Sequence, residues 1–252
     1  MSEQGRSRRQ QAGPGLRRGM LLAVDTATRR AAVAVGNGTS EPVAARTWTA
    51  GYHHGEELLG VLEEVLHEGS VSLADIDGIV AGIGPGSFTG LRVGLATAKG
   101  LSYGLAIPIV GVGTAAALAA AAWGDRDGAT ADELTVLLPA GPHDRYAASF
   151  VRDAGGRPVI ISGPVLLPGG TAPPRLSRIV AVDLDDGSLP PGAAVLGTRA
   201  QTGLGAALLS LGAAAFAGGA ANEVAEVVPA YVTLPRGVGA MTGEISWSRD
   251  LG

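Results

Sequence analysis

Asp25 closes a short apolar run, Met20-Leu21-Leu22-Ala23-Val24, and two hydroxyl residues, Ser87 and Thr89, follow a glycine-rich turn further along the chain. An acid at the end of a first strand can hold a metal-bound phosphate. Hydroxyls and amides at a helix start can receive an anion. Asp25, Ser87 and Thr89 are therefore candidates for phosphate or nucleotide contact. Each also has a plainer reading. Asp25-Thr26-Ala27-Thr28 lacks the glycine that would let backbone amides approach a phosphate, and the Cβ of Ala27 crowds that approach. Asp25 then reads as a capping or structural acid. Ser87 or Thr89 can cap the following helix, a contribution of about 1 kcal/mol.

Other chemistries find less support. A zinc peptidase needs two histidines at helical i, i+4 spacing with a glutamate nearby. His53, His54, His67 and His143 include no such pair, and adjacent histidines at a helix entry are commonly solvated or capping. Gly84-Pro85-Gly86-Ser87-Phe88 does not match the Gly-x-Ser-x-Gly of a serine hydrolase. Asp183, Asp185 and Asp186 could hold a cation, but a solvated turn before Gly187 is the simpler reading. There is no cysteine, which excludes disulfides, thiolate metal sites and a cysteine nucleophile. Net charge is −4, without the basic stripe of an autonomous nucleic-acid binder. No apolar run approaches the roughly 20 residues of a membrane span, and no secretory signal is visible, so a cytoplasmic protein is expected.

The elements that must position these residues follow from periodicity. With 46% hydrophobic and 17% charged residues the chain can bury a core, built from Ala, Val, Leu and Ile because aromatics are only 4%. Apolar runs at Met20–Val24, Ala31–Val35 and Val43–Thr49, with a turn at Asn37-Gly38, predict a three-stranded meander. Leu58, Leu59, Leu62, Val65 and Leu66 fall at helical spacing and predict a helix over Glu56–Glu68, ended by Gly69. A buried strand at Ile79–Ile83, a helix at Thr89–Tyr103, a strand at Ile109–Val112 and a helix at Ala115–Trp123 complete the first half. After a polar stretch at Asp125–Asp132, strands are expected at Leu134–Leu138, Tyr146–Val151, Val159–Ile161, Ile179–Val182 and Ala194–Leu196. A helix at Leu204–Phe216 and a last strand near Tyr231-Val232 follow, with Pro164–Pro174 read as loop. The expected fold is α/β: two ribonuclease H-like domains, each a mixed sheet with flanking helices, as in actin-like ATPases. The boundaries are a basic disordered extension at 1–19, a first domain at 20–124, a worn second copy at 134–235 and a tail at 236–252. The Arg-rich extension also fits a transit peptide or an RNA-touching arm, and Met20 is the expected true start.

The longest specific signal is Gly82-Ile83-Gly84-Pro85-Gly86-Ser87-Phe88-Thr89-Gly90-Leu91-Arg92. Within the helix it opens, Gly90, Gly94 and Ala98 recur every four residues and leave one face nearly bare. A helix-interior glycine costs about 1 kcal/mol relative to alanine, so close approach of another element must offset it. That element lies either in this chain or in another protein.

GPGSFTGLRVGLATAKGLSYGLAIPIVGVGT resembles the signature region of the TsaB/YeaZ family, a glycoprotease-related, actin-like group. MLLAVDTAT resembles the family's opening strand and turn, His54 with Glu57-Leu58-Leu59 its first-helix entry, and Tyr231 after Pro229 its C-terminal Pro-x-Tyr. Similarity is strong over 20–114 and weaker to about 232. In the second half, Leu137-Leu138-Pro139-Ala140-Gly141-Pro142 stands where the family has a strand ending in Asp-Ala-Arg, and Thr233-Leu234-Pro235-Arg236 departs from its Tyr-Leu-Arg run. The resemblance implies a non-catalytic scaffold or activator of the complex that transfers threonylcarbamoyl to adenosine next to the tRNA anticodon. It implies no catalytic residue, metal or cofactor on this chain alone. ATP and a metal ion belong to the partner subunits, TsaD, the catalytic subunit, and TsaE, a P-loop ATPase. A homodimer when alone, contact with tRNA through the complex and no membrane association are further implications. Carried onto this chain, the partner interface comprises Leu58, Leu59 and Leu62 of the first helix with Gly90, Gly94, Leu95, Ala98 and Leu101 of the second, which assigns the bare ridge to an outside partner. The alternatives are an actin-like ATPase or phosphotransferase acting by itself and a metallopeptidase-like protein.

Overall fold

A computed structural model describes residues 19–39, 41–50, 54–124, 133–173, 178–184, 187 and 189–232. The first sheet contains β1 (Leu21–Asp25), β2 (Arg30–Gly36), β3 (Ala44–Thr49), β4 (Gly78–Gly82) and β5 (Ile109–Val112), in the order β3-β2-β1-β4-β5. β1 pairs antiparallel with β2 and parallel with β4. Three helices accompany it: α1 (His54–Glu68), α2 (Phe88–Leu105) and α3 (Thr114–Trp123). The second sheet holds β6 (Leu134–Pro139), β7 (Arg145–Arg152), β8 (Pro158–Leu167) and β9 (Arg178–Ala181), in the order β8-β7-β6-β9. Two helices, α4 (Ala193–Thr202) and α5 (Leu204–Ala217), follow the second sheet. The second sheet repeats the meander and parallel fourth strand of the first, without an equivalent of β5 among the described residues.

The central strands β1 and β4 are buried along their whole length, as a strand with both faces covered must be. Their alternation sorts side chains into two layers. Leu22, Val24, Ile79 and Ala81 face Leu58, Leu62 and Val65 of α1 and Leu95 and Ala98 of α2. Leu21, Ala23 and Val80 face the opposite layer, with Leu118 and Trp123 of α3 and Leu204 and Leu208 of α5. The same layer takes Leu134, Val136, Leu138 and Phe150 from the second sheet. One cluster of buried side chains therefore lies between the sheets. Close approach is bought with glycine: a Cβ on Gly212 of α5 would sit 2.2 Å from a methyl of Val80.

Three expectations are corrected. Ala194–Leu196 is not a strand but the opening of α4. Pro190-Pro191-Gly192 precedes it, and Gly197 seats the helix against β9, where a Cβ would lie 1.7 Å from the Ala181 carbonyl oxygen. Pro164–Leu167 is strand rather than loop. β8 is an edge strand, where a proline without an N–H is tolerated, and the β7–β8 register shifts near Gly163 (φ +83°). Tyr231 lies outside any strand; residues 221–232 form an irregular strap joined to the first sheet by an Ile109–Asn222 bridge. The basic extension at 1–18 and the tail from 233 lie outside the described residues. No single helix among the described residues is long and apolar enough to cross a membrane. The apolar α4–α5 pair is bent by 62° and buries Leu204, Leu208 and Leu209 in the shared core.

Leu208→Ala tests the shared core. Truncating a fully buried leucine costs about 2–5 kcal/mol. Urea unfolding followed by tryptophan fluorescence and by far-ultraviolet circular dichroism should show one transition shifted to lower urea by both probes. Two separated transitions would mean that the sheets unfold independently.

Candidate functional site

The glycine-rich run forms a seat for the turn that follows β1. Gly82, Gly86, Gly90 and Gly94 recur every four residues, and each faces Asp25, Thr26 or Ala27. A Cβ on Gly82 would lie 1.9 Å from Asp25 Oδ2, one on Gly86 2.1 Å from the Ala27 carbonyl oxygen, one on Gly90 2.0 Å from the Thr26 carbonyl oxygen, and one on Gly94 2.2 Å from Thr26 Oγ1. These are backbone or short, fixed atoms, so no other residue type fits without displacing the turn. Hydrogen bonds complete the fit. The Thr26 hydroxyl donates to the Gly90 carbonyl at 2.6 Å, and the Ser87 amide donates to the Ala27 carbonyl at 2.7 Å.

Asp25 is fully buried beneath this seat. Its Oδ1 accepts from the Ala27 amide at 2.7 Å and its Oδ2 from the Thr114 hydroxyl at 2.6 Å. Thr114 Oγ1 in turn accepts from the Gly84 amide at 3.0 Å, and the Thr114 amide donates to the Gly84 carbonyl at 2.7 Å. Asp25 thus joins the ends of β1, β4 and β5 to the start of α3. Burial pushes its carboxyl up to about 6, against the pull of the Thr114 and Ala27 hydrogen bonds.

The three candidate phosphate contacts are not brought together on an open surface. Asp25 is sealed. Ser87 caps α2, its Oγ accepting from the Gly90 amide at 3.2 Å. Thr89 is exposed on the first turn. Three of the loop's amides are consumed internally: Ile83 donates to Val112, Gly84 to Thr114, Ser87 to Ala27. The Ala27 carbonyl thereby takes the Ser87 amide that an incoming oxyanion would use.

The bare ridge of α2 is likewise internal. Gly90, Gly94 and Ala98 are buried within the protomer, packed on Thr26 and the first sheet, which corrects their assignment to an outside partner. Leu58, Leu62 and Leu95 are also core residues; Leu101 is half-buried against the same cluster, and Leu59 alone of the eight is open, at 55% exposure. The outer surface of the α1–α2 pair carries instead Leu59 and Gly60 from α1, and Ala96, Gly100, Tyr103 and Gly104 from α2. A Cβ added at Gly60, Gly100 or Gly104 meets nothing within 4 Å. Thr26 and Thr114 were missed by the sequence reading. The four-residue recurrence extended back to Gly82 and Gly86 was the signal that could have found Thr26.

A cleft of about 720 Å³ opens between the β1–β2 and β6–β7 turns, lined by Arg29, Pro139, His143, Asp144, Arg145 and Asp183 among others. The Pro139–Pro142 stretch that departs from the family pattern forms part of its wall. Asp183 (φ +56°) bridges the halves, accepting from the Arg29 amide at 2.7 Å and from Gln201 Nε2 at 2.8 Å. Asp185 and Asp186 lie outside the described residues.

Comparison with known proteins agrees with this geometry. The model of the family "TsaD: tRNA N6-adenosine threonylcarbamoyltransferase" matches residues 48–167. The tRNA threonylcarbamoyladenosine biosynthesis protein TsaB of Escherichia coli K12 is 35% identical over 136 residues, 54% of this chain and 57% of that protein. The protein of the same name from Haemophilus influenzae is 32% identical over 137 residues, 53% of this chain and 54% of that one. The solved structure of YeaZ from Pseudomonas aeruginosa superposes with a TM-score of 0.66 at 26% identity, over 84% of this chain and 99% of that one. The chain is similar in sequence to TsaB proteins and in fold to YeaZ. Its alignments span about half the length of the curated relatives it matches.

Asp25→Asn tests the sealed carboxylate. Asp25 has a folded value of about 6 against 3.8 unfolded, so the folded state binds the extra proton. Its contribution is most favourable below about pH 4, is lost as pH rises towards 6, and above that leaves a penalty on the order of 3 kcal/mol. The Asn variant lacks this titration. Relative to the parent, it should gain stability between pH 4 and 7 in denaturant unfolding, and a constant difference across that range would disprove the assignment.

Proposed function

We propose that this chain is a non-catalytic scaffold subunit of a tRNA threonylcarbamoyladenosine-forming complex. It pairs with a TsaD-type transferase and, through that pair, with a TsaE-type ATPase and tRNA. The sealing of Asp25 beneath the Gly82–Gly94 seat carries the non-catalytic part of this reading. An acid with no exposure cannot hold a metal-bound phosphate, and the Ile83, Gly84 and Ser87 amides already have acceptors. ATP and metal then fall to the partners, and the chain works in the cytoplasm as part of their assembly. The actin-like, two-domain reading is supported by the repeated strand order of the two sheets.

The docking surface proposed is the outer face of α1 and α2, not the buried ridge. Leu59 and Tyr103 are large, open side chains, Tyr103 at 83% exposure. Gly60, Ala96, Gly100 and Gly104 surround them with low relief, which lets a second helix approach closely. On α1, Glu64 and Glu68 pair with Arg46 of β3 and Glu57 accepts from the Trp48 indole, whereas the only charged residues of α2 are Arg92 and Lys99. Two sites on the same helix separate this surface from the core. Gly100→Glu points into open space and replaces a helix-interior glycine, so the chain should stay folded or gain up to about 1 kcal/mol. Gly94→Glu drives a side chain into Thr26 and should unfold the first sheet.

The decisive experiment is reconstitution with purified transferase, ATPase, ATP, an activated threonylcarbamoyl donor and tRNA. Modified adenosine should require this chain, which alone should neither hydrolyse ATP nor modify tRNA. Gly100→Glu should melt normally yet fail to co-elute with the transferase and fail to support modification. Full modification with Gly100→Glu would remove the proposed face from the interface, and modification without the chain would refute the scaffold role.

A further inference from the structure

The strap after α5 ends in an aromatic cluster at the edge of the α2 face. The Asn222 amide donates to the Ile109 carbonyl at one end of β5. Val227 is buried in the first-sheet core, and the Ala230 amide donates to the Ile83 carbonyl at the other end. This anchoring delivers Tyr231 onto Phe88, with ring centroids 5.3 Å apart. The Arg92 guanidinium lies over the Phe88 ring at 4.8 Å from its centroid. Phe88 and Tyr231 nonetheless remain 37% and 41% exposed, and Val228 beside them 59%. Among the described residues no carboxylate pairs with Arg92.

We infer that Phe88, Arg92 and Tyr231 form an anchor that receives an apolar, carboxylate-bearing segment of the transferase subunit, extending the α1–α2 face. The inference rests on the subunit reading given above. Aromatic residues and arginine dominate the energetics of protein interfaces. Here the rings already pack together in a tilted pair and the arginine is already held over one of them, so little side-chain entropy remains to be lost on binding. Charge selects the occupant. Arg92 and Lys99 are the charges of α2 and both are basic, so a carboxylate finds a partner at Arg92. A nucleic-acid strand is a poorer fit, because Glu57 and Glu63 of α1 repel a polyanion, Glu64 and Glu68 being paired with Arg46. Glu223 and Glu226 sit at the opposite end of the strap, by the Asn222 bridge, and leave the positive end clear.

The test is isothermal titration of the cognate transferase into the full chain and into Arg92→Glu, Arg92→Lys and Tyr231→Ala, at low and moderate salt. Because these side chains are exposed, circular dichroism melts should match the parent. Arg92→Glu and Tyr231→Ala should each weaken binding by about tenfold or more, with Arg92→Lys retaining much of the affinity and Arg92→Glu showing a flatter salt dependence. Folded variants that bind as tightly as the parent would overturn the anchor while leaving the subunit reading intact. Unchanged transferase affinity with weakened tRNA binding by the assembled complex would overturn it in favour of an RNA contact. Failure of the unaltered chain to bind the transferase would instead strike the subunit reading itself, and the anchor with it.

Discussion

The rest of the structure depends on the seating of Asp25-Thr26-Ala27 against four glycines. The turn after β1 must be buried, because β1 is the central strand and both its faces are covered. Buried backbone groups need partners, and a side chain on any of the facing residues would hold the partners apart. Gly82, Gly86, Gly90 and Gly94 remove that obstacle at successive points along β4, the loop and α2. What remains is direct contact between the turn and the loop and helix backbones, closed by Thr26 to Gly90 and Ser87 to Ala27. The helical glycines carry a propensity cost of about 1 kcal/mol each, offset here by hydrogen bonds and close packing that no larger residue allows.

That seat fixes where the outer faces of α1 and α2 can be. α2 cannot rotate about its axis without driving Thr26 Oγ1 into helix backbone, so Arg92, Ala96, Gly100 and Tyr103 are held facing outwards. Glycine then has two opposite meanings on one helix. At positions 90 and 94 it admits the chain's own turn; at 100 and 104 it borders open space. A third contribution comes from the far end of the chain, where the strap lays Tyr231 on Phe88. The shared layer of α3 and α5 couples both sheets to the same core.

Most of the first half was legible in the sequence, because its helices and strands are long, periodic and bounded by clear turn residues. β5 falls where the Ile109–Val112 run places it, and α1 follows from Leu58, Leu62, Val65 and Leu66. The second half was harder for physical reasons. Ala194-Val195-Leu196 is too short an apolar run to distinguish strand from helix, and only the contact of Gly197 with Ala181 decides it. β8 reads as loop past Gly163-Pro164 because proline is tolerated there only through its position at a sheet edge, which no local pattern reveals. At the site, the ridge was visible but its occupant was not. Spacing shows that a backbone comes close to Gly90 and Gly94; it does not show whose backbone it is.

The same ambiguity explains why a glycine-rich loop before a helix is weak evidence for phosphate binding. A phosphate cradle and this seat make identical demands on sequence: small residues, a turn out of a buried strand, a hydroxyl at the helix start. They differ in who supplies the acceptor oxygens. In a cradle the amides wait for a ligand; here the Ala27 carbonyl, the Thr114 hydroxyl and the Ser87 hydroxyl supply them permanently. An internal acceptor is always present at full effective concentration, so an external oxyanion competes only by breaking formed hydrogen bonds and displacing a buried turn. Asp25, held near 6 by burial, adds a carboxyl where a further negative charge would be least welcome. The seat is thereby committed to holding the fold, and the same contacts that close it fix which side of α2 faces outwards.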